Sequence, residues 1–236
     1  MVNYNNKRLK FNISKPPKTI QIMQPIILPD AIASRVEYKR KFSFMEMYNS
    51  MILLPQAFSV LKKNKKDKLV SQDLTKRMEL AVTEVNGCAA CSYQHTKMAL
   101  NQGMSNDEIS SFLSAGSDFI KPEEGKAILF AQHFADTTGR PKKYAFDVLV
   151  EEYGAEEAEV MLASIQVMIF GNMYGIPFSA FQSRRKGKPF KDSKLSYELG
   201  MMIFGLLVLP IAIIHGLIRK IFGVSTHRFD VSAEED

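Results

Sequence analysis

Between residues 42 and 182, apolar side chains recur every three to four positions and nowhere alternate with period two over a useful length. A period near 3.6 marks a helix with one buried stripe; a period of two marks a strand with one buried face. The segment is therefore read as all-α, with no substantial sheet. Phe44, Met47, Met51, Leu54 and Phe58 set the first stripe, with Pro55 as a kink or break. The run KKNKKDK at 62–68 is read as a solvated connector. Helix resumes near residues 71–74, breaks at Asn86-Gly87, and restarts at Cys88 to stop at Gly103. Ser105 and Glu108 have the spacing of a capping box. Pro122 and Pro141 mark two further starts, with Thr138-Gly139 and Gly154 as stops. Residues 156–174 are predicted as a long apolar helix ended by Gly175 and Pro177.

The two ends of the chain differ from this middle. Residues 1–36 contain KPPKT and QPIILPD, whose prolines favour extended segments, and are expected to form an arm along the domain or a neighbouring subunit. The helical domain is expected at 37–183, followed by a basic linker at 184–198. A hydrophobic helix is expected at 199–220, and a polar, acidic tail at 221–236. The stretch 199–218 holds no charged residue, and as a helix it reaches about 30 Å, the thickness of a bilayer core. Arg219 and Lys220 close it, and the basic cluster at 184–194 precedes it. The expectation is membrane association, with the main domain on the cytoplasmic face. The alternative is a core or oligomer-interface helix, because Pro210 and His215 suit a lipid-facing span poorly.

Composition narrows the function. With 46% apolar and 24% charged residues, the 236-residue chain has the makings of a packed core. Its net charge of +6 is concentrated in short lysine and arginine runs rather than on a broad basic face with interleaved aromatics, so nucleic acid is not expected as a partner. The only cysteines, Cys88 and Cys91, lie three apart, and the first residues lack an apolar core of signal-peptide length. A close pair in a reducing, cytoplasmic setting points to catalysis or metal binding rather than a structural crosslink.

If a helix begins at Cys88, then Cys88, Cys91 and His95 share one face. Cysteines so placed can close a disulfide. The helix N-terminus favours thiolate over thiol. His95, one turn past Cys91, can take a proton from a thiol or return one to a leaving oxygen. A thiolate that attacks a peroxide becomes a sulfenic acid, which a second thiol converts to a disulfide. A structural zinc site would want four ligands where three are at hand. A thioredoxin-like site would want a strand before the pair. An inert pair of buried small residues is the remaining alternative.

The string NGCAACSYQHTKMALNQGMSNDEI resembles the signature of the alkyl hydroperoxidase D-like branch of the carboxymuconolactone decarboxylase superfamily. Its marks are Asn86-Gly87-Cys88, Cys91 and His95, then Ala99, Gly103 and Asp107-Glu108. A weaker likeness runs over 40–182, in KAILFAQHFADTTGRP and NMYGIPF. The resemblance implies an all-α helical bundle, a homo-oligomer (trimer or hexamer), and reduction of a hydroperoxide substrate. It implies an external thiol or dithiol reductant protein and neither metal nor organic cofactor. It assigns Cys91 as the thiol that attacks the peroxide, Cys88 as the partner that donates a proton and resolves, and His95 as the relay. Two positions depart from the pattern. Lys76 stands twelve residues before Cys88, where the family has a glutamate, and Ala90 stands where some members have a histidine. Glu79 and Glu84 are the candidate replacement carboxylates, and a cationic Lys76 would lower a thiol pKa. Tyr93 is read as packing and His133 as a helix-surface or core residue. Two other functions stay open. One is a lactone-type decarboxylase or isomerase, a branch that generally works without the dithiol. The other is a membrane-associated redox sensor without turnover, which Lys76 would favour.

Overall fold

The structure, a computed structural model, describes residues 26–230; the first 25 residues of the expected arm and the SAEED tail lie outside the described residues. The described chain is helical as expected, and its sole β-type pairing among those residues is an isolated bridge between Lys142 and Asp230. Pro29 opens a single turn, α1 (Asp30–Ala33), inside the arm that was expected to be extended. Ser43 then caps α2 (Phe44–Met51) in a full capping box with Glu46. Pro55 sits in the first turn of α3 (Leu54–Asp67), where its missing N–H costs nothing. The chain therefore breaks at Ile52-Leu53, just before the proline.

The lysine run 62–68 is not a connector: it continues α3 to its end. Lysine is a good helix former, and here the ammonium groups point to solvent. The helix stops one residue past Asp67, at Lys68 in the left-handed region, where the Asn64 side chain binds both backbone groups of Val70. Ser71 caps α4 (Gln72–Asn86), and Gly87, at φ 71°, ends it. Cys88 then serves as N-cap of α5 (Ala89–Asn101). In α6 (Asn106–Leu113), Ser105 accepts from Glu108 N, but the Glu108 carboxylate turns away to Arg77 instead of closing the box. A 3-10 turn at Pro122–Glu124 leads into α7 (Gly125–Asp136), followed by α8 (Lys143–Tyr153).

The largest departure from expectation is α9 (Ala155–Arg185), which passes through Gly175 and Pro177 without breaking. Pro177 deprives the Met173 carbonyl of its helical donor. Packing outweighs that loss. The helix packs against α2, α3, α4, α5, α7 and α8, and it buries Met161, Leu162, Ile165, Ile169, Met173 and Ile176. Each fully buried side chain of this size contributes about 1.5–3 kcal/mol relative to leaving it exposed.

The last helix, α10 (Leu195–Ile221), extends the expected hydrophobic segment at both ends and lies against α2, α3 and α9. Both α9 and α10 are long and apolar enough to cross a membrane, yet the most apolar window of α9 is 78% buried and that of α10 only 22%. The first is thus the core helix of the domain. The second packs by one stripe. At Gly205 an added Cβ would lie 3.1 Å from Tyr174, and at Gly216 it would lie 2.4 Å from the Ile52 carbonyl oxygen. His215, unexpected in so apolar a run, has its Nδ1 2.8 Å from the Tyr48 hydroxyl. Gly216→Val would force backbone apart where α10 crosses the α2–α3 break, an overpacking cost of about 1–3 kcal/mol. A lowered denaturation midpoint measures this; an unchanged midpoint would contradict the close docking of α10.

Candidate functional site

Gly87 turns the chain between α4 and α5, and the two sulfurs are set by that turn. Cys88 occupies the N-cap and Cys91 the third helical position, and the pair is joined as a disulfide with Cα atoms 5.2 Å apart. The Cys91 N–H donates to the Cys88 sulfur at 3.2 Å, so a sulfur takes the role that a serine or aspartate usually plays at a helix start. Cys88 is fully buried, whereas Cys91 keeps 8% of its surface exposed.

The other wall of the site is α9. A Cβ on Gly175 would lie 2.5 Å from the Cys91 sulfur and 2.6 Å from that of Cys88. The Gly171 carbonyl oxygen is 3.6 Å from the Cys91 sulfur. Gly175 was expected to end a helix; instead it keeps the helix and clears space for sulfur. Ser179, one turn on, accepts from the Ala90 N–H at 3.0 Å and donates to the Gly175 carbonyl at 2.7 Å. It thereby fastens the N-terminus of α5 to α9 beside Pro177. Beneath this contact Asn86 donates to Asn172 (3.0 Å), and Asn172 donates to Thr83 (3.4 Å), all three fully buried. A cleft of about 350 Å³ opens on the same turn of α5, lined by Ala89, Ala90, Arg35, Phe178 and Ser179 among others.

His95 lies one turn beyond Cys91 on α5, and its Nδ1 meets two side chains of α4. The Glu79 carboxylate oxygen is 3.1 Å away and the Lys76 ammonium 3.2 Å away. Lys76 and Glu79 are also bound directly to each other, and the Ser164 hydroxyl approaches the second Glu79 oxygen at 3.5 Å. Lys76, only 4% exposed, sits one turn before Glu79 on the same face of α4. Burial pushes the Glu79 carboxyl upward, but the His95 hydrogen bond and the Lys76 charge outweigh it and hold the group below its ordinary range. Of the two candidate carboxylates, the structure thus brings Glu79 to His95. Glu84 binds Lys39, in the segment before α2, with Nζ 2.5 Å from its carboxylate and 2.9 Å from its backbone carbonyl.

The remaining residues fall out simply. Tyr93, expected to pack, is 52% exposed. The His133 ring accepts from the Lys142 N–H at 3.2 Å, a structural role. Sequence reasoning missed Gly175, Ser179 and Asn172. The one visible signal for Gly175 and Asn172 was the string GNMYG in an apolar run, which reads equally well as a helix stop, and Ser179 had none.

Residues 57–132, from α3 to α7, match the Carboxymuconolactone decarboxylase family. The matched segment, about a third of the chain, contains Cys88, Cys91, His95, Lys76 and Glu79. Comparison with curated proteins and with solved structures found no match.

Two outcomes follow from this geometry. In most helix interiors Gly→Ala stabilises by about 0.5–1 kcal/mol. Gly175→Ala should instead destabilise the oxidised protein by about 1–3 kcal/mol, because the methyl group has no room beside two bonded sulfurs. Denaturant titration of the oxidised chain reads this directly. Glu79→Gln leaves Lys76 buried without its carboxylate and should cost about 3 kcal/mol near neutral pH. Because the folded Glu79 carboxyl is depressed, its contribution is complete above the ordinary value of 4.5 and is lost as pH falls below it. The stability gap between wild type and Glu79→Gln should therefore stay level above that pH and close beneath it. A gap that widened in acid would contradict the ion pair.

Proposed function

We propose that the protein is a thiol oxidoreductase that reduces hydroperoxides by cycling Cys88 and Cys91 between dithiol and disulfide. The observation that carries this reading is the bonded sulfur pair at the start of α5, with a carboxylate-held histidine one turn along the same helix. Two thiols and a proton relay are the least that such a cycle requires, and neither metal nor organic cofactor enters it.

The reduced chain begins with Cys91 as thiolate, favoured by the free N–H groups and the positive end of the helix dipole. Its sulfur attacks the distal oxygen of the hydroperoxide, and the O–O bond breaks. The alcohol leaves with a proton from His95, and Cys91 becomes a sulfenic acid. Cys88 then attacks the Cys91 sulfur, the S–O bond breaks, and water departs. Two electrons have passed from the dithiol to the peroxide. An external thiol or dithiol protein restores the pair, entering at Cys91, the sulfur with some exposure. That attack releases Cys88 as a thiolate at the N-cap, where the helix stabilises it. Glu79 fixes the orientation of His95, in the way that carboxylates orient catalytic imidazoles elsewhere. The reading includes a reducing, cytoplasmic setting and a homo-oligomer of three or six chains.

Hydroperoxide consumption with a dithiol donor tests it. Cys91→Ser should abolish turnover. Cys88→Ser should stop after one oxidation, leaving a sulfenic acid at Cys91 that dimedone captures. His95→Gln should slow turnover by about 10²–10⁴-fold. Equal rates in wild type and both cysteine variants would eliminate the mechanism. Oxidation of the pair without turnover would favour a sensor, and lactone turnover with the thiols untouched would favour a lyase.

A further inference from the structure

The outward face of α10 is apolar along its whole length. Ile203, Leu206, Leu207, Ile211, Ile214 and Ile221 stand between 55% and 81% exposed and recur at helical spacing. The opposite stripe, through Met201, Gly205, Ala212 and Gly216, is buried against the domain. A contiguous solvent-exposed apolar stripe of this size marks a contact surface.

Both ends of α10 are fastened to the same domain. Near its start, Glu198 is fully buried on Arg184, and the Tyr197 hydroxyl donates to the Phe42 carbonyl. Near its end, the Lys220 ammonium donates to Ser59, and the Gln166 amide to the Thr226 carbonyl. The helix of 27 residues is about 40 Å long. If it crossed a bilayer, its two fastenings would lie on opposite sides. It would also draw α3, with the exposed Lys62, Lys63, Lys65 and Lys66, into hydrocarbon beside it.

Charge selects among the occupants that remain. Arg185, Lys186, Lys188 and Lys191 precede α10, and Arg219 and Lys220 end it. With both ends basic, a second copy seated on this face, parallel or antiparallel, would meet like charge with like. An anionic lipid surface meets basic groups at each end and hydrocarbon between them.

We propose that α10 is an in-plane membrane helix: its outer face lies in one leaflet of an anionic bilayer, and the helix does not cross. This does not draw on the thiol chemistry. The experiment uses the full chain and exploits its lack of tryptophan. Leu207→Trp, Ile214→Trp and Ile221→Trp each place one fluorophore on the outer face. The variants are mixed with phosphatidylcholine vesicles with or without phosphatidylglycerol, and with lipids brominated at shallow or deep positions. The expected result is binding to the anionic vesicles, weakened about tenfold or more by raised salt, with the same shallow quenching at all three positions. Leu207→Glu combined with Ile214→Glu should retain native helicity and lose vesicle binding. Quenching deepest at Leu207 and fading toward Ile221 would show a spanning helix and overturn the inference. Absence of vesicle binding, with a dimer in sedimentation that the double glutamate variant dissolves, would overturn it in favour of a second copy.

Discussion

The structure depends on the approach of α9 to the first turn of α5. Helix axes pack at 8–10 Å when ordinary side chains separate them; here two sulfurs and a glycine occupy that space. Gly175 removes a Cβ that would stand between α9 and the disulfide, and Ser179 ties the two backbones together one turn further on. The same stretch contains Pro177, which local propensity reads as a stop. The helix continues because the seven helices around it bury it, which outweighs the donor lost at the Met173 carbonyl. The wall of the dithiol is thus part of the buried core helix of the domain.

A second constraint is the buried charge cluster on α4 and α5. A lysine inside a domain is costly unless paired. Lys76 is paired with Glu79 and lies beside the His95 ring, while the second Glu79 oxygen faces Ser164 of α9. The carboxylate beside His95 is thus supplied by Glu79, one helical turn nearer the cysteines than Lys76. The ring nitrogen Nδ1 is engaged by this cluster, which leaves Nε2 as the nitrogen for proton exchange in the proposed cycle.

Much of this was legible in the chain itself, for definable reasons. Helix starts at Ser71, Cys88 and Ser105 carried side chains that cap, and Gly87 carried the one residue type that tolerates a left-handed turn cheaply. The dithiol and His95 were legible because they lie within two turns of one helix. Glu79 was visible as a candidate only by spacing, and its partnership with His95 required knowing how α4 crosses α5. Other readings failed for reasons that local sequence does not carry. The lysine run 62–68 stayed helical because its charges reach solvent. The Gly175 and Pro177 stop was overridden by burial. The arm holds a helical turn at Asp30–Ala33. Ser179 and Gly171 could not have been found, since their contacts cross about 80 or more residues of chain.

The most direct test of the central claim is a mass measurement on the fully reduced chain after exposure to a stoichiometric amount of an organic hydroperoxide. The account predicts loss of two hydrogens, located by peptide mapping to a bond between Cys88 and Cys91, with matching formation of the alcohol. Thiols that remain reduced while the hydroperoxide persists would contradict it.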